Sequence, residues 1–226
     1  MANFIKYLGH SAFYIKSDNF GLLFDPWLSN NPNVDFDYKK ENITHILLSH
    51  GHGDHFGETL EISKATGAKV IAVYETANFC SNQGVNAVGV AMGSEIKFEF
   101  GSARFCGAIH SNSLPNGQYG GIAGSILVNL SGKKIFFAGD TALTEDFELV
   151  GEFYKPEIAM LPIGGHFTMG VDDAVIASKM LGAETIIPMH YNTFDAINAD
   201  VSDFKSKIQA LGKTCQIMQI NDEMKI

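Results

Sequence analysis

Three imidazoles and one carboxylate fall within six consecutive positions, His50-Gly51-His52-Gly53-Asp54-His55. Nothing in packing asks for three histidines in one turn, so chemistry is the better explanation. Imidazole nitrogen combined with carboxylate oxygen suits zinc, manganese or iron in a hydrolytic site. On an extended backbone His50 and His52 point to one side, while Gly51 and Gly53 let the chain turn and carry Asp54 and His55 toward a neighbouring point. Two metal sites a few ångströms apart would use all four donors. The cysteines Cys80, Cys106 and Cys215 are odd in number and show no CxxC spacing. They suggest neither a disulfide framework nor a thiolate zinc site, and read as small buried hydrophobes.

The elements that must position these donors follow from the pattern of apolar residues. Strands are expected over 4–8, 12–16, 21–24 and 43–48, a helix over 58–65, a strand over 68–73 and a short helix over 75–82. Strands near 95–100 and 103–109 come next, and 122–130 and 133–138 pair through Ser131-Gly132, a two-residue hairpin signal. Beyond these the pattern gives a helix over 144–151, a strand over 158–162, a helix over 172–181, a strand over 185–189, a helix over 200–211 ending at Gly212, and a last strand near 215–220. Strands bunched in each half, with helices between them, predict two sheets packed face to face with helices outside, a layered α/β arrangement. No linker, charge block or repeat interrupts the chain, so residues 1–226 read as one domain.

Composition narrows the function. With 46% hydrophobic and 18% charged residues the chain is too apolar for a disordered protein. Apolar runs such as 135–138 are strand-sized, well short of the ~20 residues of a bilayer span, so no membrane span is expected. The opening MANFIKYLGHSAF lacks the basic and continuous apolar regions of a secretory signal, which points to the cytoplasm. A net charge of −9 without a basic cluster disfavours nucleic acid as a partner, though a local pocket could still take a phosphate. The oligomeric state is left open.

Three further donors sit at expected strand ends: His110 after Phe105-Cys106-Gly107-Ala108-Ile109, Asp140 in Phe136-Phe137-Ala138-Gly139-Asp140-Thr141, and His190 after Ile187-Pro188-Met189. His110 alone would be a core or capping histidine as readily as a ligand. Asp140 follows an apolar run, where an unpaired carboxylate is expensive to bury, with a helix N-cap as the bland alternative. Placed in order after HGHGDH, these segments resemble the metallo-β-lactamase fold superfamily. Leu8-Gly9-His10-Ser11, Phe24-Asp25-Pro26-Trp27 and the stretch from Pro162 through Gly164-Gly165-His166-Phe167-Thr168-Met169-Gly170 are similar to the small bacterial metal-dependent hydrolases of the UPF0173 type, related to the ascorbate-6-phosphate lactonase branch.

The resemblance implies a four-layer αββα sandwich holding two divalent metal ions. One would be bound by His50, His52 and His110, the second by Asp54, His55 and His190, with Asp140 bridging both. Zinc is the expected metal, with manganese, iron and nickel also compatible with such ligands. The implied activity is hydrolysis of a small-molecule ester, lactone or phosphoester by a hydroxide shared between the ions. Asp54 would also orient the nucleophile, and His166, in a glycine-flanked loop, would contact substrate or protonate the leaving group. His10 and Asp25 would orient ligands. His45 is expected at the surface, and Met160, Met169, Met180 and Met189 in the core. The redox members of this fold carry glutamate where this chain has His52, and some antibiotic-degrading members carry cysteine where it has Asp140, so neither activity is expected. A small-molecule phosphodiesterase and a non-catalytic metal-bound ligand-binding module are the alternative readings. Specificity is expected to reside in the loops 28–40, 111–120 and 191–198.

Overall fold

The computed structural model describes residues 3–17, 19–29, 31 and 33–226; Met1 and Ala2 of the opening segment and Asn30 and Pro32 of the expected specificity loop lie outside the described residues. The strands and helices run in the order β1 (Phe4–Tyr7), β2 (Phe13–Lys16), β3 (Gly21–Phe24), β4 (His45–Leu47), α1 (Gly53–Phe56), α2 (Thr59–Thr66), β5 (Lys69–Val73), α3 (Tyr74–Asn82), β6 (Ala87–Val90), β7 (Glu95–Phe98), β8 (Gly101–Gly107), β9 (Gly124–Leu130), β10 (Lys133–Phe137), α4 (Asp146–Leu149), β11 (Ile158–Pro162), α5 (Val171–Leu181), β12 (Thr185–Met189), α6 (Val201–Ala210), β13 (Thr214–Cys215) and β14 (Glu223–Lys225). A π-helical turn, Val150–Tyr154, continues α4. Among the described residues no helix is long and apolar enough to cross a membrane.

The chain divides into two compact units, neither of them a continuous stretch of sequence. Unit 1 comprises Met1–Ala91, Ser111–Ala123 and Gln219–Ile226 and contains a seven-stranded sheet ordered β14-β1-β2-β3-β4-β5-β6. The pairings from β14 through β3 are antiparallel and those from β3 to β6 parallel. Strands β1, β3, β4 and β5 therefore all end, at their C-termini, on one edge of the sheet. Its core packs Tyr14, Leu23, Ile46, Leu48, Val70 and Ala72 with Phe56, Ile62, Ala77 and Cys80 from the helices. Helix α2 stops where Gly67 adopts φ 77°, a left-handed conformation that glycine takes without a Cβ penalty.

Unit 2 comprises Met92–His110 and Gly124–Met218, with a seven-stranded sheet ordered β13-β12-β11-β10-β9-β8-β7. Strands β7 to β10 pair antiparallel and β10 to β13 parallel. The C-termini of β8, β10, β11 and β12 consequently share one edge. The hairpin signal is borne out: β9 and β10 join through Ser131 and Gly132, both at positive φ, the backbone of a tight primed turn. Phe136 packs edge-on against Phe147 of α4 at 5.7 Å between centroids, and both are fully buried.

Several expectations need correction. The single helix over 144–151 is instead a one-turn α4 followed by the π-helical turn. Gly151 lets this turn lie against the end of α5, since a Cβ there would sit 2.1 Å from the Met180 carbonyl oxygen. The last strand near 215–220 is only Thr214–Cys215, and the chain continues into β14, which pairs with β1. Strand β6 escaped the periodicity because Ala87, Val88 and Gly89 are only partly buried or exposed.

Replacing Phe136 by Ala opens a cavity in the unit 2 core and should lower stability by about 3–5 kcal/mol. The shift of the denaturant midpoint at constant slope reads this directly.

Candidate metal centre

In unit 1 the donors gather on the edge where β1, β3 and β4 end. The Asp25 carboxylate, fully buried just after β3, organises them. Its Oδ1 accepts the Ser49 backbone N–H at 2.8 Å, and its Oδ2 accepts the Ser49 hydroxyl at 2.5 Å and faces His55 Nδ1 at 2.7 Å. Ser49 Oγ in turn lies 2.9 Å from His50 Nδ1. The contacts fit an arrangement in which Asp25 only accepts. Ser49 spends its only hydroxyl proton on Asp25, so it accepts from Nδ1–H of His50, while the ionised Asp25 accepts from Nδ1–H of His55. Both rings are thereby held in the tautomer whose Nε2 carries the lone pair a metal needs.

His50 Nε2 lies 3.0 Å from His52 Nδ1, the span of two ligands around one ion at about 2.0–2.1 Å each. His52 is extended, at φ −61° and ψ 149°, and immediately precedes α1. That single turn of helix delivers Asp54 and His55. Asp54 Oδ2 lies 3.1 Å from His10 Nε2 and 3.9 Å from His55 Nε2. Asp25, His50 and His55 also present donor atoms within 4.8 Å of one another. The Asp25 oxygens themselves serve Ser49 and His55 Nδ1.

In unit 2 the donors follow β8, β10 and β12 on the edge those strands share. Asp140, 4% exposed, presents Oδ2 at 3.1 Å from His190 Nε2 and 3.6 Å from His110 Nε2. One carboxylate oxygen thus faces two imidazoles. The loops are tied together by Thr141. Its hydroxyl accepts the Ile109 N–H at 3.0 Å and donates to the Ala142 carbonyl at 2.7 Å, while its own carbonyl accepts the Met169 N–H at 2.9 Å. His166 follows β11 at φ 56°, is exposed, and sets its ring against Phe167 at 4.3 Å between centroids. It is not part of the Asp140 trio.

Reasoning from the sequence missed three residues. Ser49 links Asp25 to His50 through its hydroxyl. Asn112 accepts the Gly51 N–H at 2.7 Å and donates to the Gly120 carbonyl at 2.8 Å, which pins the loop 111–123 to the histidine motif. Thr141 was visible only as the residue after Asp140. Asn112 left no signal, since an asparagine in a glycine-rich loop is ordinary turn chemistry. His45 is corrected from surface to core: it is 5% exposed on β4, with Nδ1 3.0 Å from Thr44 Oγ1. All three cysteines are buried, and burial pushes the Cys80 and Cys106 thiols up to about 12, which keeps them in the thiol form at neutral pH.

Known proteins resemble the chain over nearly its whole length. A family model described as a Beta-lactamase superfamily domain matches residues 4–190. A UPF0173 metal-dependent hydrolase of Bacillus cereus is 42% identical over 210 residues, 91% of this chain and 92% of that protein. A counterpart in Thermofilum pendens is 42% identical over 217 residues, covering 93% and 92%. Among solved structures, Igni18, a metallo hydrolase from the archaeon Ignicoccus hospitalis, superimposes with a TM-score of 0.93 at 33% identity, over 100% of this chain and 99% of that one.

Two substitutions test the supporting residues. Asn in place of Asp25 puts an amide N–H where His55 now finds an acceptor and moves the imidazole proton to Nε2. D25N should weaken metal binding about 10- to 100-fold in a competitive chelator titration. Thr141→Val leaves the Ile109 N–H without its acceptor and should cost about 1–3 kcal/mol in denaturant unfolding, with Thr141→Ser restoring most of it.

Proposed function

Since this chain belongs to the beta-lactamase superfamily and, within it, to the UPF0173 metal-dependent hydrolases, we propose that its two donor sets together hold two divalent cations for the hydrolysis of a small-molecule ester, lactone or phosphoester. His50, His52 and His110 would hold one ion, Asp54, His55 and His190 the other, and Asp140 would serve both. In this reading the two units are halves of a single metallo-hydrolase domain. The observation that carries it is the Asp140 oxygen facing both His110 and His190, because a buried carboxylate so placed is what two adjacent cations require. Zinc is the first choice for all-nitrogen and oxygen ligation, with manganese, iron and nickel next.

Bound cations supply a Lewis acid and bring the pKa of water from 15.7 to about 7. The chain's own groups do the rest. Asp25 and Ser49 hold the His50 and His55 tautomers, and Thr141 fixes the Asp140 loop against its neighbours. Asp54, half-buried with one oxygen toward His10, orients the attacking water as well as ligating. Hydrolysis adds water across the scissile bond: its oxygen bonds to the acyl carbon or phosphorus, the bond to the leaving oxygen breaks, and that oxygen takes a proton. In this reading His166, exposed on its glycine-flanked loop, donates that proton.

Ala in place of His52 or Asp140 should remove bound metal and hydrolysis together, each by more than about 100-fold, since loss of a mere supporting residue already costs 10- to 100-fold. Metal content by elemental analysis, beside turnover of a panel of lactones, aryl esters and bis-p-nitrophenyl phosphate, checks both. Full activity in either metal-depleted variant would end the proposal.

A further inference from the structure

We infer that the substrate is an uncharged ester or lactone with an apolar acyl body, and not one bearing a second, distal phosphate or carboxylate; this rests on the hydrolase reading above. In unit 2 the side chains next to the donors are large, apolar and open to solvent. Ile109, 59% exposed, precedes His110; Phe167, 52% exposed, follows His166; Phe194, 39% exposed, lies four residues past His190. All three stand on loops that leave the same edge of one sheet. Two of those loops share an anchor, since Thr141 holds the Ile109 N–H with its hydroxyl and the Met169 N–H with its carbonyl. Scattered exposed hydrophobics are ordinary, but three flanking three catalytic-type histidines on one edge form the apolar wall of a small-molecule site.

The charges on the same loops have one sign. In the segments 108–110, 138–145, 163–170 and 190–200 the charged residues are Asp140, Glu145, Asp195 and Asp200. Glu145 and Asp195 are exposed. A distal anion on the substrate would face these carboxylates across an apolar surface, losing hydration and meeting repulsion. An alkyl or aryl acyl chain would cover Ile109, Phe167 and Phe194 and gain about a factor of 4 for each methylene it buries. Unit 1 shows the same character by itself. The loop 111–123 exposes Tyr119 and Ile122, and it is held to the start of α3, beside exposed Tyr74, by the Thr76 hydroxyl donating to the Gly120 carbonyl at 2.7 Å.

The test uses the metal-loaded full chain and p-nitrophenyl esters of acetate, butyrate and hexanoate, with the mono-p-nitrophenyl ester of adipate as the matched anionic six-carbon acyl group. We expect kcat/KM to climb at least about 10-fold from acetate to hexanoate and the adipate half-ester to fall at least about 10-fold below hexanoate. Phe167→Ser should raise KM for hexanoate several-fold with little change in kcat, and Phe167→Leu should restore it. Calorimetric binding of hexanohydroxamic acid against its ω-carboxylate analogue reads the same preference without turnover, with the uncharged probe expected to bind at least about 10-fold tighter. Turnover or binding that is flat with chain length, or that favours the carboxylate, overturns the inference and leaves the hydrolase reading standing. A chain that takes up no metal overturns the hydrolase reading and this inference with it.

Discussion

One buried carboxylate governs the unit 1 donors. Asp25 has no exposure to water, so its charge has to be answered by hydrogen-bond donors on every side, and those donors are Ser49 and His55. Satisfying Asp25 therefore orients two imidazoles, His55 directly and His50 through Ser49. Remove that charge and the histidines keep their positions in sequence but lose the reason to present a lone pair in one direction. A fifth residue, 25 positions upstream of the motif's first histidine, dictates how two of its four donor side chains are wired.

Strand direction does the corresponding work at larger scale. Parallel pairing in each sheet sends the ends of successive strands to a common edge, so residues separated by dozens of positions arrive side by side without any local signal joining them. Strained backbone collects there. His10, Asp25, His166 and His190 all have positive φ, a conformation that costs an L-residue free energy and persists only where the surrounding structure enforces it. Each of these residues leaves a strand end, where the chain must turn sharply to aim a side chain along the edge instead of away from it.

The sequence made much of this legible, and for identifiable reasons. Strands β3, β11 and β12 match the expected bounds because apolar runs bounded by glycine, proline or charge have little freedom to be anything else. The histidine-rich turn stood out in the sequence because three imidazoles in six positions have no packing role to hide behind. Asn112 and Ser49 were not, since a side-chain amide or hydroxyl gains meaning only from the partner that folding brings to it. His45 was misread because polarity was weighed above the burial that a central parallel strand imposes on both faces. The α4 region was misread because helical periodicity says nothing about an extra residue per turn, which depends on how closely Gly151 can approach α5.

The pairing of β14 with β1 has a consequence for how the chain is made. Phe4, Ile5 and Lys6 take as partners Lys225, Met224 and Glu223, so β1 is synthesised long before the outer neighbour it pairs with. Throughout that interval β1 is an open sheet edge, the kind of template on which nascent chains join one another. Strand β14 thus acts as a late seal on one side of the unit 1 sheet, whose opposite edge is β6.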